Sequence, residues 1–238
     1  MVIDEEELKQ FDHKELGSAA TAPSSEFQGQ ILKGLDLLKR SSRPVILAGS
    51  GIRHAKATKE FLEMVDRLGV PVLTSRLGAD LIPDDHSYFF GRPGTYGQRS
   101  ANFIIQNCDL LISIGSRLSI PLVGRNTKAF ARAALKIVVD IDPKELEKPT
   151  LKPDLPLAMD AGQFIKECLS LLPAPLPSYS PWMELCREWR LKFPPDSYSG
   201  PSLPSDPPEN GLIYPLSVLR ILSDELDEDD VLVADGGA

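Results

Sequence analysis

The feature that most constrains the fold of this chain is a repeated alternation of short apolar runs and amphipathic segments. The apolar run at 44–48 ends in Gly49-Ser50-Gly51, and apolar residues then recur at helical spacing over 61–68. The pattern returns with a second run at 110–114, which ends at Gly115. Strands that alternate with helices pair in parallel through right-handed crossovers. The sequence therefore predicts an α/β protein with an open, doubly wound parallel sheet.

The same patterns place the individual elements. We expect the sheet to be flanked by helices in a three-layer, Rossmann-like topology like that of NAD- and FAD-binding domains. The clearest strands are at 44–48, 70–73, 110–114 and 136–141, with a further short strand at 231–233. Helices are predicted at 25–40, 61–68, 99–107, 126–134, 161–172, 181–193 and 214–226.

Composition divides the chain into four segments. Residues 1–24 form an acidic linker tail, and residues 25–172 form a central, nucleotide-binding-like domain. Residues 173–211 are a proline-rich connector with one helix, which carries both tryptophans. Residues 212–238 contain a helix and an apolar run ending in a glycine turn, which is how another α/β domain begins.

Charge and cysteine content exclude several classes of function. There are 26 basic and 34 acidic residues, a net charge of -8, so no field attracts nucleic acid or an anionic membrane. The apolar runs are far shorter than the roughly 20 residues of a membrane-spanning helix. The acidic start at 4–7 is unlike a secretory signal, which predicts a cytoplasmic protein. The three cysteines and three histidines show no spacing typical of a metal site or disulfide framework, and no GxSxG elbow is present.

Four segments are candidates for ligand contacts: Gly49-Ser50-Gly51, the loop at 91–97, Gly115-Ser116-Arg117 and Asp140-Ile141-Asp142. In open α/β sheets, ligands bind beyond the carboxyl ends of the strands, where glycine turns expose backbone amides. A pyrophosphate could bind the amides near Gly51 and Gly115, with Arg117 as the counter-charge and Asp140 or Asp142 accepting from a ribose hydroxyl. The glycines can equally be simple turns and the aspartates helix caps. The GxGxxG fingerprint is not met, because a histidine occupies its third glycine position.

The order of these motifs carries a resemblance to a known family. The chain reads RPVILAGSGIRHA, GVPVLTS, GRPGTYGQRSAN, CDLLISIGSRLS and KIVVDIDPKEL in turn. This order resembles the central domain of thiamine diphosphate-dependent enzymes of the acetolactate synthase type, over about residues 25–172. The resemblance implies a parallel sheet of about six strands. The resemblance implies that residues 1–24 are the end of a linker from a pyrimidine-binding domain. It also implies that residues 212–238 are the truncated start of a pyrophosphate-binding domain.

In some members of this family the central domain binds FAD or ADP. This chain departs from flavin-binding members at Arg117-Leu118-Ser119-Ile120-Pro121, where those have an RFDDR-like run. Bound FAD, bound ADP and no bound nucleotide therefore stay open. By position, the resemblance implies cofactor-contacting residues at the ends of the strands and in the glycine-rich loop, namely Gly49, Ser50, Gly51, Thr74, Gly94, Gly97, Gly115, Ser116, Arg117, Asp140, Ile141, Asp142 and Asp160.

The resemblance also implies where catalysis resides. In this family the catalytic glutamate comes from the preceding domain, and the GDG metal motif that holds magnesium comes from the following one. Neither is identified in this chain, and the turn at 235–237 matches an earlier position, so no catalytic or metal-binding residue is predicted. The expected function is a structural middle domain of a carboligase or decarboxylase acting on 2-oxo acids. The parent enzyme is expected to be a homo-oligomer that uses thiamine diphosphate and magnesium.

Two other functions stay open. One is a free-standing module that binds FAD, ADP or a related nucleotide on the same loops. The other is an NAD-dependent deacylase or transhydrogenase-like domain of related topology, although the chain lacks the zinc cysteines and catalytic histidine setting that such enzymes often have.

Overall fold

The computed structural model describes residues 25–173, 175–194, 215–227, 229–231 and 233. The predicted acidic tail at 1–24, and residues 174 and 195–211 of the predicted connector, lie outside the described residues. The chain separates into two compact units, Met1–Phe193 and Pro194–Ala238, and each is described by itself. No described helix is both long enough and apolar enough to cross a bilayer.

Helices and strands alternate along the first unit, as the apolar periodicity predicts. Two single 3₁₀ turns, Arg76–Gly78 and Thr127–Ala129, interrupt this order. The strands are β1 Pro44–Ala48, β2 Val72–Thr74, β3 Leu110–Ile114, β4 Leu135–Asp140 and β5 Leu155–Ala158. The helices are α1 Ser25–Arg40, α2 Gly51–His54, α3 Thr58–Leu68, α4 Arg99–Asn107, α5 Ile120–Val123, α6 Pro143–Leu146, α7 Ala161–Leu171 and α8 Ser180–Lys192.

The five strands form one parallel sheet in the order β2-β1-β3-β4-β5. The predicted α/β class and doubly wound parallel sheet are confirmed, with one strand fewer than the expected six. A sixth position beside β2 holds only an isolated parallel bridge between Val72 and Phe89. Gly91, with a φ of +98°, accepts from the Thr74 amide at 3.1 Å, and the segment at 88–91 forms no strand.

Two sequence predictions differ from the structure in this unit. Strand β5 was not predicted from the sequence; it contains Pro156, and it lies at the sheet edge, where proline is tolerated. The helix predicted at 126–134 is instead the 3₁₀ turn Thr127–Ala129. Ala131 has a φ of +43°, a left-handed conformation that an α-helix cannot contain.

The second unit has one described helix, α9 Pro215–Glu225, close to the predicted bounds of 214–226. Its described side chains include exposed Val218 and Leu219. The strand predicted at 231–233 is not found: Val231 and Val233 are exposed and belong to no strand, while residue 232 lies outside the described part. A strand needs a paired neighbour to persist, and none is described here.

Successive strand residues point to opposite sides of the sheet, so both of its faces carry apolar side chains. Helices cover both faces. Ile46, Ile112 and Ile137 pack into one apolar core with helices α1, α3 and α7. Val45, Leu47 and Leu111 pack into the other with helices α4 and α8. Every residue of β1 and β3 is buried, as continuous apolar strands in a two-sided parallel sheet require.

Helix α8 belongs to this packing. Trp182 is 3% exposed, and its indole Nε1 donates a hydrogen bond to the Pro44 carbonyl oxygen at 3.0 Å. Trp182 also packs edge-on against Trp189, with ring centroids 5.8 Å apart. The Arg190 guanidinium donates to the carbonyl oxygens of Phe89 and Asp84 at 2.6 and 3.0 Å. The helix is therefore held to the first unit at both ends.

The turn before β1 is held by one carboxylate. Asp109 accepts hydrogen bonds from the Ser41 hydroxyl and from the amides of Ser42 and Arg43, the latter two at 2.9 Å each. Burial acts to raise the pKa of Asp109, but these hydrogen bonds outweigh it and hold the pKa below its usual value of 3.8. The residue thereby joins the start of β3 to the start of β1.

Replacing Trp182 with alanine tests the role of α8. We expect Trp182→Ala to lower the free energy of unfolding by about 3–5 kcal/mol, since it removes a buried ring and its hydrogen bond. Leu191→Ala on the same helix is the matched control, because Leu191 is 81% exposed and its loss should change stability by less than about 0.5 kcal/mol. Urea unfolding of both variants measures the difference, and equal stabilities would contradict the packing role of α8.

Asp109→Asn tests the carboxylate. A depressed pKa in the folded state means that ionised Asp109 stabilises the protein above pH 3.8, and that this contribution is lost as the pH falls through the folded-state pKa. We expect the variant to be less stable at pH 7 by about 1.5–3 kcal/mol and to lose less stability below about pH 4. Asp36→Asn, which breaks only an exposed ion pair with Arg40, serves as the control for unfolding measured across pH. Parallel pH profiles for wild type and Asp109→Asn would count against this role.

Candidate functional site

The sheet order places a crevice between β1 and β3. The connections from these two neighbouring strands leave in opposite directions, which makes a topological switch point at their carboxyl ends. Ala48 pairs with Ile114 in register, so both strands end at the same level. The predicted corners Gly49-Ser50-Gly51 and Gly115-Ser116-Arg117 therefore meet at one point on the sheet rim, as parallel pairing requires.

The two corners touch through their backbones. A Cβ at Gly49 would penetrate the carbonyl group of Gly115, and a Cβ at Gly51 would lie 2.8 Å from the Gly115 Cα. Gly115 has a φ of +58°, and a Cβ there would lie 2.8 Å from the Gly51 Cα. Only glycine allows this approach at all three positions. We call Gly49, Gly51 and Gly115 the glycine clasp.

The amides of the glycine clasp are hydrogen-bonded within the protein. Gly49 donates to the Ile114 carbonyl oxygen at 2.9 Å, and Gly51 donates to the Gly115 carbonyl oxygen at 3.1 Å. The Gly115 amide donates to the Val139 carbonyl oxygen at 2.8 Å. The Ser116 hydroxyl is paired with that of buried Ser113 at 2.6 Å. The clasp thus joins β1, β3 and β4 at the rim.

Arg117 follows the clasp in a strained conformation. Arg117 and Leu118 have φ values of +55° and +43°, which are uncommon for residues with side chains. The Lys148 ammonium donates to the Arg117 carbonyl oxygen at 2.6 Å and also forms an ion pair with Glu145. Lys148 and Glu145 were not predicted from the sequence, because they come from the segment after β4 and meet Arg117 only in the fold.

The aspartates at the strand ends have local partners. Asp140 is 5% exposed and accepts from the Asp142 amide at 3.0 Å. Burial raises the pKa of Asp140, the Asp142 amide and Arg117 act against this, and Glu145 adds to it. Asp142 caps α6 by accepting from the Lys144 amide at 3.0 Å. Ile141 between them is exposed.

Asp160 lies apart from the clasp, after the edge strand β5. Its carboxylate accepts from the amides of Gly162 and Gln163 at 2.9 and 3.1 Å and so caps α7. Thr74 ends β2 beside Ala48 and is fully buried. The Thr74 hydroxyl has no hydrogen-bond partner within the part of the chain that the structure describes.

The glycine-rich loop at 91–97 is braced by two amide side chains. Asn102 accepts from the Gly94 amide at 2.8 Å and donates to the Gly94 carbonyl oxygen at 3.0 Å. Gln98 accepts from the Arg92 amide at 2.9 Å. A Cβ at Gly97 would overlap the Arg92 carbonyl oxygen, so the loop folds tightly on itself. The sequence motif GRPGTYGQRSAN contains both braces but does not reveal what they bind.

A second set of contacts attaches this loop to the rim. The Thr95 amide donates to the Pro121 carbonyl oxygen at 2.8 Å, and a Cβ at Gly94 would lie 2.8 Å from the same oxygen. Tyr96 and Ile120 are exposed on either side of this junction. The structure therefore brings Gly94, but not Asp160, to the rim near β3.

These contacts show whether a pyrophosphate or a metal ion would fit at the rim of the sheet. A pyrophosphate needs unpaired amides at a glycine corner, whereas the three amides of the glycine clasp are already bonded, so the clasp does not fit a pyrophosphate. Across the described ranges, there is no group of three or more histidine, cysteine, aspartate or glutamate side chains that could hold a metal ion.

Gly49→Ala tests the clasp. The added methyl group would overlap the Gly115 carbonyl, which is backbone and cannot move aside, so we expect a loss of at least about 2 kcal/mol in the free energy of unfolding. Gly29→Ala in helix α1 is the matched control, because no atom lies within 4 Å of its Cβ position and alanine favours helix by up to about 1 kcal/mol. Urea unfolding should give opposite signs, and a stable Gly49→Ala would contradict the clasp geometry.

Comparison with known proteins gives the family. The family model for the thiamine pyrophosphate enzyme central domain matches residues 31–168. The probable acetolactate synthase large subunit of Methanocaldococcus jannaschii is 36% identical over 164 residues, which cover 68% of this chain and 27% of that protein. The acetolactate synthase large subunit of Parasynechococcus marenigrum is 28% identical over 217 residues, covering 90% and 33%.

A third relative extends the same pattern. Acetolactate synthase isozyme 3 large subunit of Escherichia coli is 29% identical over 170 residues, covering 69% of this chain and 29% of that protein. The chain thus spans about a quarter to a third of the length of these relatives. The resemblance seen in the motifs is confirmed. Because the family match at 31–168 covers more than half of the 238 residues and includes the whole sheet, the chain belongs to the thiamine pyrophosphate enzyme central domain family.

Proposed function

We propose that this chain is the middle, structural domain of a thiamine diphosphate-dependent enzyme of the acetolactate synthase type. The observation that carries the proposal is the coincidence of the family match at 31–168 with the sheet and its covering helices. The relatives extend well beyond the region they share with this chain, which matches only 24–33% of their lengths. In them, the shared region is one part of a larger subunit.

The proposed role is to hold two catalytic domains in place. The partners are a pyrimidine-binding and a pyrophosphate-binding domain on either side of residues 25–172, with 1–24 and 173–211 as connecting segments. Residues 212–238 then begin the pyrophosphate-binding domain. A scaffold of this kind needs a rigid body, and the two apolar cores, the glycine clasp and the Asp109 hydrogen bonds supply one.

The chemistry of the whole enzyme is proposed from the family. Thiamine diphosphate stabilises the carbanion that forms when a 2-oxo acid loses carbon dioxide. Magnesium would be held with the cofactor by the flanking domains, and the enzyme would be a cytoplasmic homo-oligomer. This chain's own residues position those domains and take no part in the proton or carbon transfers, so the 238 residues alone are catalytically inert.

A free-standing nucleotide-binding module is the rival function. It would use Gly51, Gly115, Arg117 and Asp140 at the rim as ligand contacts. The hydrogen bonds that already engage the Gly51 and Gly115 amides favour the scaffold role over this alternative.

A domain exchange tests the scaffold role. Residues 31–168 of this chain replace the matching region of the Methanocaldococcus jannaschii large subunit, and acetolactate formation from pyruvate is measured with thiamine diphosphate and magnesium. We expect a folded chimera that retains at least about a tenth of the parental kcat, because a scaffold preserves the positions of the catalytic groups without touching substrate. A chimera that folds and assembles but makes no acetolactate would contradict the proposal.

Two controls complete this test. The same chimera with Gly49→Ala should lose assembly and activity together, since the clasp is part of the scaffold. The isolated 238-residue chain should release no carbon dioxide from pyruvate with both cofactors present. Turnover by the isolated chain would place catalytic groups within it and exclude a purely structural role.

A further inference from the structure

The rim of the sheet carries the four segments from which a nucleotide site was predicted. The amides of the glycine clasp, the Ser116 hydroxyl and the Asp140 and Asp142 carboxylates are all hydrogen-bonded within the protein.

The backbone amides at the switch point are already hydrogen-bonded. A diphosphate at the switch point would sit between the corners that follow β1 and β3. That space is filled by the backbone contact between Gly51 and Gly115, and the Gly51 amide points at the Gly115 carbonyl oxygen, 3.1 Å away. A phosphate oxygen at the Gly51 amide would have to displace a carbonyl oxygen that cannot move without disturbing β3.

Several polar side chains predicted to contact a nucleotide are also hydrogen-bonded within the protein. Asp142 and Asp160 accept from the amides at the starts of α6 and α7, and Asp140 accepts from the Asp142 amide. The Ser116 hydroxyl is shared with Ser113. Gly94 is bonded through both its amide and its carbonyl to Asn102. These carboxylates, the Ser116 hydroxyl and the Gly94 backbone therefore serve turns, caps and braces of the fold, whereas the buried Thr74 hydroxyl has no partner among the described residues.

Basic and acidic side chains lie close together at this rim. Lys148 faces the rim but is paired with Glu145 and bonded to the Arg117 carbonyl oxygen. Arg117 lies beside Asp140, whose pKa stays above its usual value because of burial, even with that cation nearby. Asp142 and Glu145 add negative charge on the same side. An anion arriving here would meet Lys148 already paired with Glu145, and further acidic groups on the same side.

We infer that the glycine clasp is a ligand-independent structural junction and that this rim holds neither FAD nor ADP. The inference rests on the proposed scaffold function and deepens it, because it assigns a structural role to residues expected to bind a cofactor. The enzyme that contains this domain would accordingly position its catalytic domains without help from a bound nucleotide.

The first experiment uses the purified, ¹⁵N-labelled 238-residue chain with ADP and FAD as the probes. We expect the Gly51 and Gly115 amides to exchange slowly with solvent before any addition, because both are hydrogen-bonded. Adding either nucleotide to about 1 mM should leave their resonances and the Tm unchanged. Saturating shifts of these resonances, or a dissociation constant below about 1 mM, would overturn the inference.

The second experiment separates the clasp from backbone strain. Gly115 and Gly124 both have positive φ, but a Cβ at Gly115 meets the Gly51 backbone whereas one at Gly124 meets nothing within 4 Å. We expect Gly115→Ala to melt at least about 4 °C below Gly124→Ala with no nucleotide present. Equal melting temperatures would show that the clasp contact contributes nothing to the fold, and the inference would fail. The domain exchange can still succeed in that case, so the two failures are distinguishable.

Discussion

The close approach of two backbones at the rim, between the corners that follow β1 and β3, is the constraint on which the rest of this structure depends. Gly49, Gly51 and Gly115 leave no room for side chains, and their amides complete hydrogen bonds that run from β1 through β3 to β4. The contact sets where the central strands end, and therefore where every loop of the rim begins. A methyl group added at any of these three glycines would meet backbone atoms of the opposite corner, and backbone atoms cannot move aside as a side chain can by changing rotamer.

The two cores extend this fixed centre outward. Burial of alternate strand residues on opposite faces supplies the main stabilising free energy, and helices α1, α3 and α7 on one side and α4 and α8 on the other provide the cover. Polar contacts then fix directions that apolar packing leaves free. Trp182 aligns α8 with the start of β1, and Asp109 holds the turn that leads into the same strand. The result is a body with two packed cores and a fixed rim, which suits the proposed scaffold role.

A doubly wound sheet with glycine corners at its switch point can serve as a binding site or as a scaffold, and composition cannot separate these outcomes. The difference lies in whether the amides at the corner point outward or at each other. In this chain the Gly51 amide points at the neighbouring corner, and Asp142 and Asp160 are committed to capping helices. The same residue types that suit a pyrophosphate therefore support the proposal of a structural domain within a thiamine diphosphate-dependent enzyme.

Local pattern alone determined the α/β class, four of the five strands and the order of motifs that reveals the family, because buried strands and amphipathic helices leave periodicities that need no knowledge of distant contacts. Local pattern failed where contacts with other parts of the chain determine the secondary structure or the role of a residue. Strand β5 tolerates Pro156 because it lies at an edge, and Val231 and Val233 belong to no strand among the described residues. The contact of Lys148 with Arg117 and the direction of the Gly51 amide depend on atoms brought together from distant parts of the chain, and the bonds of Asn102 and Gln98 depend on how the nearby loop folds. Only the tertiary structure decides these contacts, because a hydrogen bond needs a donor and an acceptor close together in space. The sequence names both groups but does not give the distance between them.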